Sequence, residues 1–158
     1  MEIRAAAEND RDWVRALLTE RWGAVELVTR GRIHQGDRLP GFIAFDGDRR
    51  VGLVTYTIEN GECEIVSLDS LASGKGIGTA LVKTIVELAR ARSCRRVWLI
   101  TTNDNTGALR FYQKVGFSLV TVHRDAICLS RELKPGIPEI GIDGIPIRDE
   151  IELEISLV

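Results

Sequence analysis

Residues 69–81 read DSLASGKGIGTAL, and between Asp69 and Leu81 the chain changes from one kind of regular structure to another. Before this stretch, Glu62–Asp69 follows the turn Glu59-Asn60-Gly61 and has the length and character of a strand. After it, Ile77, Ala80, Leu81, Thr84, Ile85, Leu88 and Ala89 recur at helical spacing. Ser73 to Thr79 is therefore a glycine-rich strand-to-helix turn. Glycines there let the backbone come close to a ligand, and the N–H groups of a helix N-terminus favour an anion, phosphate above all. A P-loop needs lysine directly before the closing serine or threonine, but Gly78 precedes Thr79. A dinucleotide fingerprint needs a third glycine where Thr79 stands. Neither motif fits.

Upstream, Glu2–Ala6 reads as a short strand, and Asn9 or Asp10 can cap a helix running to about Trp22 on an apolar face of Trp13, Val14, Leu17 and Leu18. Residues 23–40 combine a short apolar run, Val25–Val28, with loop signals at Gly31, Gly36 and Leu39-Pro40-Gly41. Phe42–Phe45, the turn Asp46-Gly47-Asp48 and Val51–Ile58 form a hairpin pattern, which with Glu62–Asp69 predicts an antiparallel meander. Downstream, Val97–Ile100 is an uninterrupted apolar run suited to a strand buried on both faces. A helix over about Thr106–Val115 ends near Gly116, and Phe117–Val122 is a further strand. Strand, helix, strand, helix and strand joined to a meander define a mixed α/β (α+β) class with one central sheet.

The tail differs in character. Ala126, Leu129 and Leu133 suit a short helix that stops before Pro135. From Ile145 the odd positions Ile147, Ile151, Leu153, Ile155 and Leu157 alternate with Arg148, Glu150, Glu152, Glu154 and Ser156, as in a half-buried strand, and Pro146 favours an edge position or a strand start. Asp149 interrupts the apolar side. It can hold a cationic amine or pair with Arg148.

At 158 residues, 44% hydrophobic and 28% charged, the chain is expected to be one folded domain, residues 1–158, with 123–158 as a C-terminal helix and strand extension. No apolar run is long enough to cross a bilayer, and Met1-Glu2-Ile3-Arg4 lacks the pattern of a signal peptide, so a cytoplasmic location is expected. Cys63, Cys94 and Cys128 are scattered, and with only His34 and His123 beside them no metal site is expected. The net charge of −2 is uneven: residues 135–158 hold six carboxylates against Arg148 alone. The basic residues form no block, which argues against a nucleic-acid partner. The acidic tail either attracts a cationic substrate or is solvated surface.

A second motif gives the first its meaning. Asn105, Ala108, Phe111, Tyr112, Lys114, Gly116 and Phe117 fall at fixed spacing, one helix and one strand beyond Gly78. Together the two stretches resemble the signatures of the GNAT superfamily of acyl-CoA N-acyltransferases: Gln/Arg-x-x-Gly-x-Gly/Ala at the pyrophosphate turn, then Asn-x-x-Ala-x-x-(Leu/Phe)-Tyr-x-Lys-x-Gly-Phe. Gly76 and Gly78 match; Ser73 replaces the usual Gln or Arg, which removes one long-chain donor to phosphate.

The resemblance implies a three-layer GNAT-like fold whose mostly antiparallel central sheet splays to admit the pantetheine arm. It implies acetyl-CoA as co-substrate, bound by Ser73, Gly74, Lys75, Gly76, Ile77, Gly78 and Thr79, with a backbone N–H near Leu68 polarising the thioester carbonyl. Asn105 binds CoA or a structural water in this reading, or caps its helix. Tyr112 stands at the family position of the proton donor to the departing thiolate, or else packs against the sheet. Glu64 lies where some members carry a catalytic glutamate, and Asp69 ends the same strand; Glu64 is equally readable as a paired surface carboxylate. No cysteine or serine has an activating partner, so direct attack by the amine in a ternary complex is expected. The acceptor is expected to be a small-molecule primary amine, shaped by residues near Trp22–Pro40 and the tail. A protein lysine or N-terminal acceptor, and a non-catalytic acyl-CoA-binding module, are the alternatives. A homodimer through the tail strand is a further expectation.

Overall fold

The computed structural model describes residues 1–158. Its strands are β1 (Glu2–Ala5), β2 (Glu26–Thr29), β3 (Arg32–Gln35), β4 (Gly41–Asp46), β5 (Arg49–Glu59), β6 (Glu62–Ser70), β7 (Arg96–Thr102), β8 (Ser118–His123) and β9 (Glu150–Ser156). The helices are α1 (Arg11–Trp22), α2 (Ile77–Ala91), α3 (Thr106–Lys114) and α4 (Ile127–Leu133). Seven strands form one sheet in the order β1-β4-β5-β6-β7-β9-β8, while β2 and β3 make a separate hairpin.

The meander expected from the sequence is present: β4, β5 and β6 pair antiparallel in succession. The parallel pair β6–β7 is joined by the crossover through α2. That pair is short. Only Glu62–Ile65 of β6 meets Arg96–Leu99 of β7, and beyond them the two strands part. A bulge sits at the same level, since Thr55 pairs with Ser67 but Tyr56 pairs with Ile65, which leaves Val66 as the extra residue. The second half of β6 stays with β5 as far as Gly52–Ser70, and β7 stays with β9 as far as Thr102–Glu150. The sheet therefore splits in its middle, with each half held by its outer neighbour.

Each face of the sheet has its own core. On one, Ile77, Leu81, Ile85 and Ala89 of α2 pack on Val54, Ile65, Val97, Leu99 and Leu153. Complete burial of a side chain such as Leu81 or Ile85 contributes roughly 1.5–3 kcal/mol. Gly52 lets α2 come this close: a Cβ there would stand 2.6 Å from the Ile77 side chain. On the other face, Val14, Leu17 and Leu18 of α1 cover Ile43, Leu53 and Val66.

Three elements differ from expectation. Residues 23–40, read mainly as loop, contain the β2–β3 hairpin; its turn Arg30-Gly31 takes φ of 49° and 72° without an Asn-Gly signature. In β7, Val97 and Leu99 are buried but Trp98 and Ile100 only partly so, because one face of that strand borders open space. The tail strand β9 starts after Pro146, as its alternation suggests, but it is not an edge strand: it runs antiparallel to both β7 and β8. Both of its edges are paired, so it cannot extend the sheet into a second copy. The free edge at this end of the sheet belongs to β8, where Leu119, Val120 and Val122 are exposed, and β1 is the edge at the other end. No helix is long and apolar enough to cross a membrane.

Candidate active site

The glycine turn and α3 face each other across a groove of about 660 Å³ on the α2 side of the split. Gly76 is the N-cap of α2 with φ of 69°, a left-handed conformation that glycine adopts without cost and that starts the helix abruptly. Gly78, the second residue of α2, permits the close approach of α3; a Cβ there would be 3.0 Å from the Phe111 ring. Ser73, Gly74, Gly76, Ile77, Gly78 and Thr79 all line the groove, as does Leu68. Lys75 is exposed and not part of that lining; the cation that is part of it is Lys114, at the end of α3.

The groove continues into the split itself, a space of about 500 Å³ between the diverging ends of β6 and β7. Leu68, Ala108 and Tyr112 border both. Tyr112 is wedged between Phe111 and Phe117, its ring centroid 5.2 and 5.4 Å from theirs in edge-on contacts. Burial pushes its phenol above the ordinary tyrosine range, and the nearby Asp69 carboxylate adds to the effect. Asp69 is itself raised by burial, an effect moderated by a hydrogen bond from the Trp22 indole and by the charge of Arg21. Asn105 caps α3, its side-chain oxygen accepting from the Ala108 N–H at 3.1 Å, while the residue also lines the split.

On the opposite side of the sheet the split opens into a third space, a cavity of about 340 Å³. Trp22, Val66, Ile100, Thr101 and Asn105 belong to both. Its far walls come from the hairpin and the tail: Leu27 and Thr29 on one side, Ile127, Ser130, Ile137, Pro138 and Ile147 on the other. The lining is largely apolar, with Glu150 buried at one end and Lys134 bonded to the carbonyls of Trp22 and Glu26. Burial lowers the Lys134 ammonium below the usual lysine range. Asp149 does not enter this cavity. It forms a two-point pair with Arg148 at 2.9 and 3.0 Å and accepts the Asp125 N–H, whereas its neighbour Glu150 faces inward.

Glu64 is only 3% exposed. Burial raises its carboxyl to about 7, with the charges of Glu59 and Glu150 adding and a Thr29 hydrogen bond and Arg32 opposing. Cys63, adjacent on β6, is fully buried and pushed up to about 12 by desolvation, which leaves it an inert thiol. Sequence reasoning placed the acceptor site near Trp22–Pro40 but singled out none of Trp22, Thr29 and His34 within it, because Thr29 and His34 lie on a hairpin with no clear strand signal and Trp22 marks only the end of α1.

Comparison with known proteins agrees with this geometry. Residues 8–117 match the family model described as the acetyltransferase (GNAT) family. The chain is 47% identical to the uncharacterized Bacillus subtilis protein YdhI over 82% of each chain, and 42% identical to YxbD of the same organism over 97% of each. A Bacillus subtilis acetyltransferase solved in complex with CoA superposes with a TM-score of 0.73 at 21% identity, covering 99% of both chains. The protein belongs to the GNAT family of acetyltransferases. Its seven-stranded split sheet with four flanking helices is the fold that this resemblance implied.

Proposed function

We propose that the protein transfers the acetyl group of acetyl-CoA to the primary amine of a small molecule, by direct attack within a ternary complex. One observation carries this reading: the groove and the cavity lie on opposite faces of the sheet and meet only through the split between β6 and β7. A thioester entering from one side and an amine from the other would meet there without an acyl-enzyme.

The residues divide the work as follows. The turn Ser73–Thr79 offers backbone N–H groups to the CoA pyrophosphate at the N-terminus of α2. A backbone N–H near Leu68, on the part of β6 that β7 has left, polarises the thioester carbonyl. The uncharged amine attacks the carbonyl carbon, a C–N bond forms, and the C–S bond breaks. Tyr112 gives its hydroxyl proton to the departing sulfur, and the proton that the new amide nitrogen releases restores the phenol. The burial that keeps the phenol protonated also penalises a free thiolate, so the proton moves as charge builds on sulfur. Glu64, with a carboxyl near neutrality, takes up the proton that the acceptor ammonium must lose.

The cavity walls favour a small acceptor with an apolar body over an extended peptide, because α4 and residues 137–147 close over the side away from the split. The test is acceptor-dependent thiol release from acetyl-CoA across a panel of arylalkylamines, polyamines, aminoglycosides, amino acids and lysine peptides. Release with a small amine, lost in Tyr112→Phe, supports the reading. Release only with peptides would replace the acceptor class, and tight acetyl-CoA binding without turnover on any acceptor would point to a binding module.

A further inference from the structure

Glu64 has a geometric difficulty as a base: it lines neither the acceptor cavity nor the split. Its carboxylate borders a separate groove of about 240 Å³ on the outer side of the hairpin, beside Arg32, Glu59 and Trp98. An amine in the cavity cannot touch it. Thr29, however, lines both the cavity and the outer groove. Its hydroxyl donates to Glu64 Oε2 at 2.8 Å and lies 2.9 Å from His34 Nε2, with all three side chains buried. A hydroxyl has one proton and two lone pairs. Since the proton is given to Glu64, Thr29 accepts from His34, whose Nε2 carries the hydrogen. One lone pair of Oγ1 is left.

We propose that Thr29 is a catalytic residue of this enzyme, relaying the acceptor ammonium's proton to Glu64 for release into the outer groove. The inference rests on the proposed acetyl transfer with Glu64 as base. The ammonium N–H bond breaks as its proton joins Thr29 Oγ1, and the hydroxyl's own proton passes to Glu64 Oε2. The products are a free amine, an intact threonine and a neutral Glu64, which then loses its proton to water. The amine keeps its electron pair for the thioester.

Two further features suit this role. Burial and the charge of Arg32 hold His34 below its ordinary range, so it serves near neutrality as an uncharged donor that keeps the threonine proton turned toward Glu64. The charged groups around Glu64 come from several elements, two arginines against three carboxylates. Arg32 lies on β3, Arg30 in the hairpin turn, Glu59 on β5, Glu62 on β6 and Glu150 on β9. Arg32 is itself tied to Glu59 at 2.5 and 2.9 Å at the groove's rim.

The experiment compares Thr29→Val, Thr29→Ser and Glu64→Gln through the pH dependence of kcat, on an acceptor found by thiol release. In the wild type, kcat is expected to rise with pH through about 7, where Glu64 would ionise. Thr29→Val is expected to lower kcat about 100-fold with KM for acetyl-CoA unchanged, and to abolish that rise. Thr29→Ser recovers most of the rate and the profile, which a purely structural role for the methyl group would not allow. If the valine variant does not fold, Thr29→Cys, similar in bulk but a weak hydrogen-bond donor, reads the same loss. A folded Thr29→Val enzyme that keeps both rate and profile overturns the relay. In that event, loss of the rise in Glu64→Gln would leave Glu64 as a base reached by another route, and its persistence would remove Glu64 as well.

Discussion

The indole N–H of Trp22 donates to both carboxylate oxygens of Asp69, at 3.0 and 3.3 Å, tying the last turn of α1 to the end of β6 at the split. Gly23, with φ of 81°, stops α1 directly after the tryptophan and so fixes where that indole lies. Asp69 is 8% exposed, and the bond is the donor that offsets its burial. Trp22→Phe leaves this carboxylate unpaired and should cost about 1–3 kcal/mol in urea denaturation at neutral pH. The loss should shrink at low pH, where a protonated Asp69 needs no such donor.

Tyr112→Phe removes a hydroxyl but keeps the ring contacts with Phe111 and Phe117. Folding and acetyl-CoA binding should therefore survive, with melting temperature and calorimetric affinity close to wild type. Steady-state kcat should fall by about 100-fold, the usual scale for losing a positioned proton donor. An unchanged kcat would take Tyr112 out of the chemistry.

Glu64 links activity to a stability cost. Its carboxyl is raised from 4.5 in the unfolded chain to about 7 in the folded one, so the native state holds the proton more tightly. Its contribution to stability is therefore complete below pH 4.5 and is lost as the pH rises through about 7, a change of about 3 kcal/mol. Glu64→Gln should melt higher than wild type at pH 8 and show little advantage at pH 5, while its kcat falls. Equal melting temperatures at both values would show that the carboxyl is not raised.

Asp10 behaves in the opposite sense. Burial alone would raise it, but hydrogen bonds from Arg4, the Ala7 N–H and Arg50 outweigh burial and hold it at about 2. The cluster joins β1, the start of α1 and β5, away from the split. With a folded value below the ordinary 3.8, its contribution is present above that pH and lost as the pH falls from 3.8 toward 2. About 2 kcal/mol is at stake. Asp10→Asn should lower stability at pH 7 by a similar amount and flatten the acid side of a stability–pH curve.

The parts of the fold legible in the sequence are those set by local repetition. Helix α2 is written in Ile77, Leu81, Ile85 and Ala89, and its start in Gly76, whose role is local backbone geometry; Gly78 was legible from its motif, although its close contact is with Phe111 on α3. The hairpin was not legible, because four-residue strands carry too little alternation and Arg30-Gly31 is an unmarked turn. Thr29 and His34 were lost with it, and so was the route from the cavity to Glu64. For β9 the alternation of Ile151, Leu153 and Ile155 was readable, yet nothing local tells a strand that it will lie between β7 and β8. The same limit made Asp149 the apparent intruder on an apolar face. The pairing of Arg148 with Asp149 keeps that buried carboxylate out of the cavity, and Glu150 takes the position facing it.

The most direct test of transfer across the split is an initial-velocity study, varying acetyl-CoA at several fixed concentrations of a working amine. Direct attack predicts intersecting double-reciprocal lines and no acetylated protein by mass spectrometry after incubation with acetyl-CoA alone. Parallel lines, together with a stably acetylated enzyme that passes its group to the amine, would contradict the account.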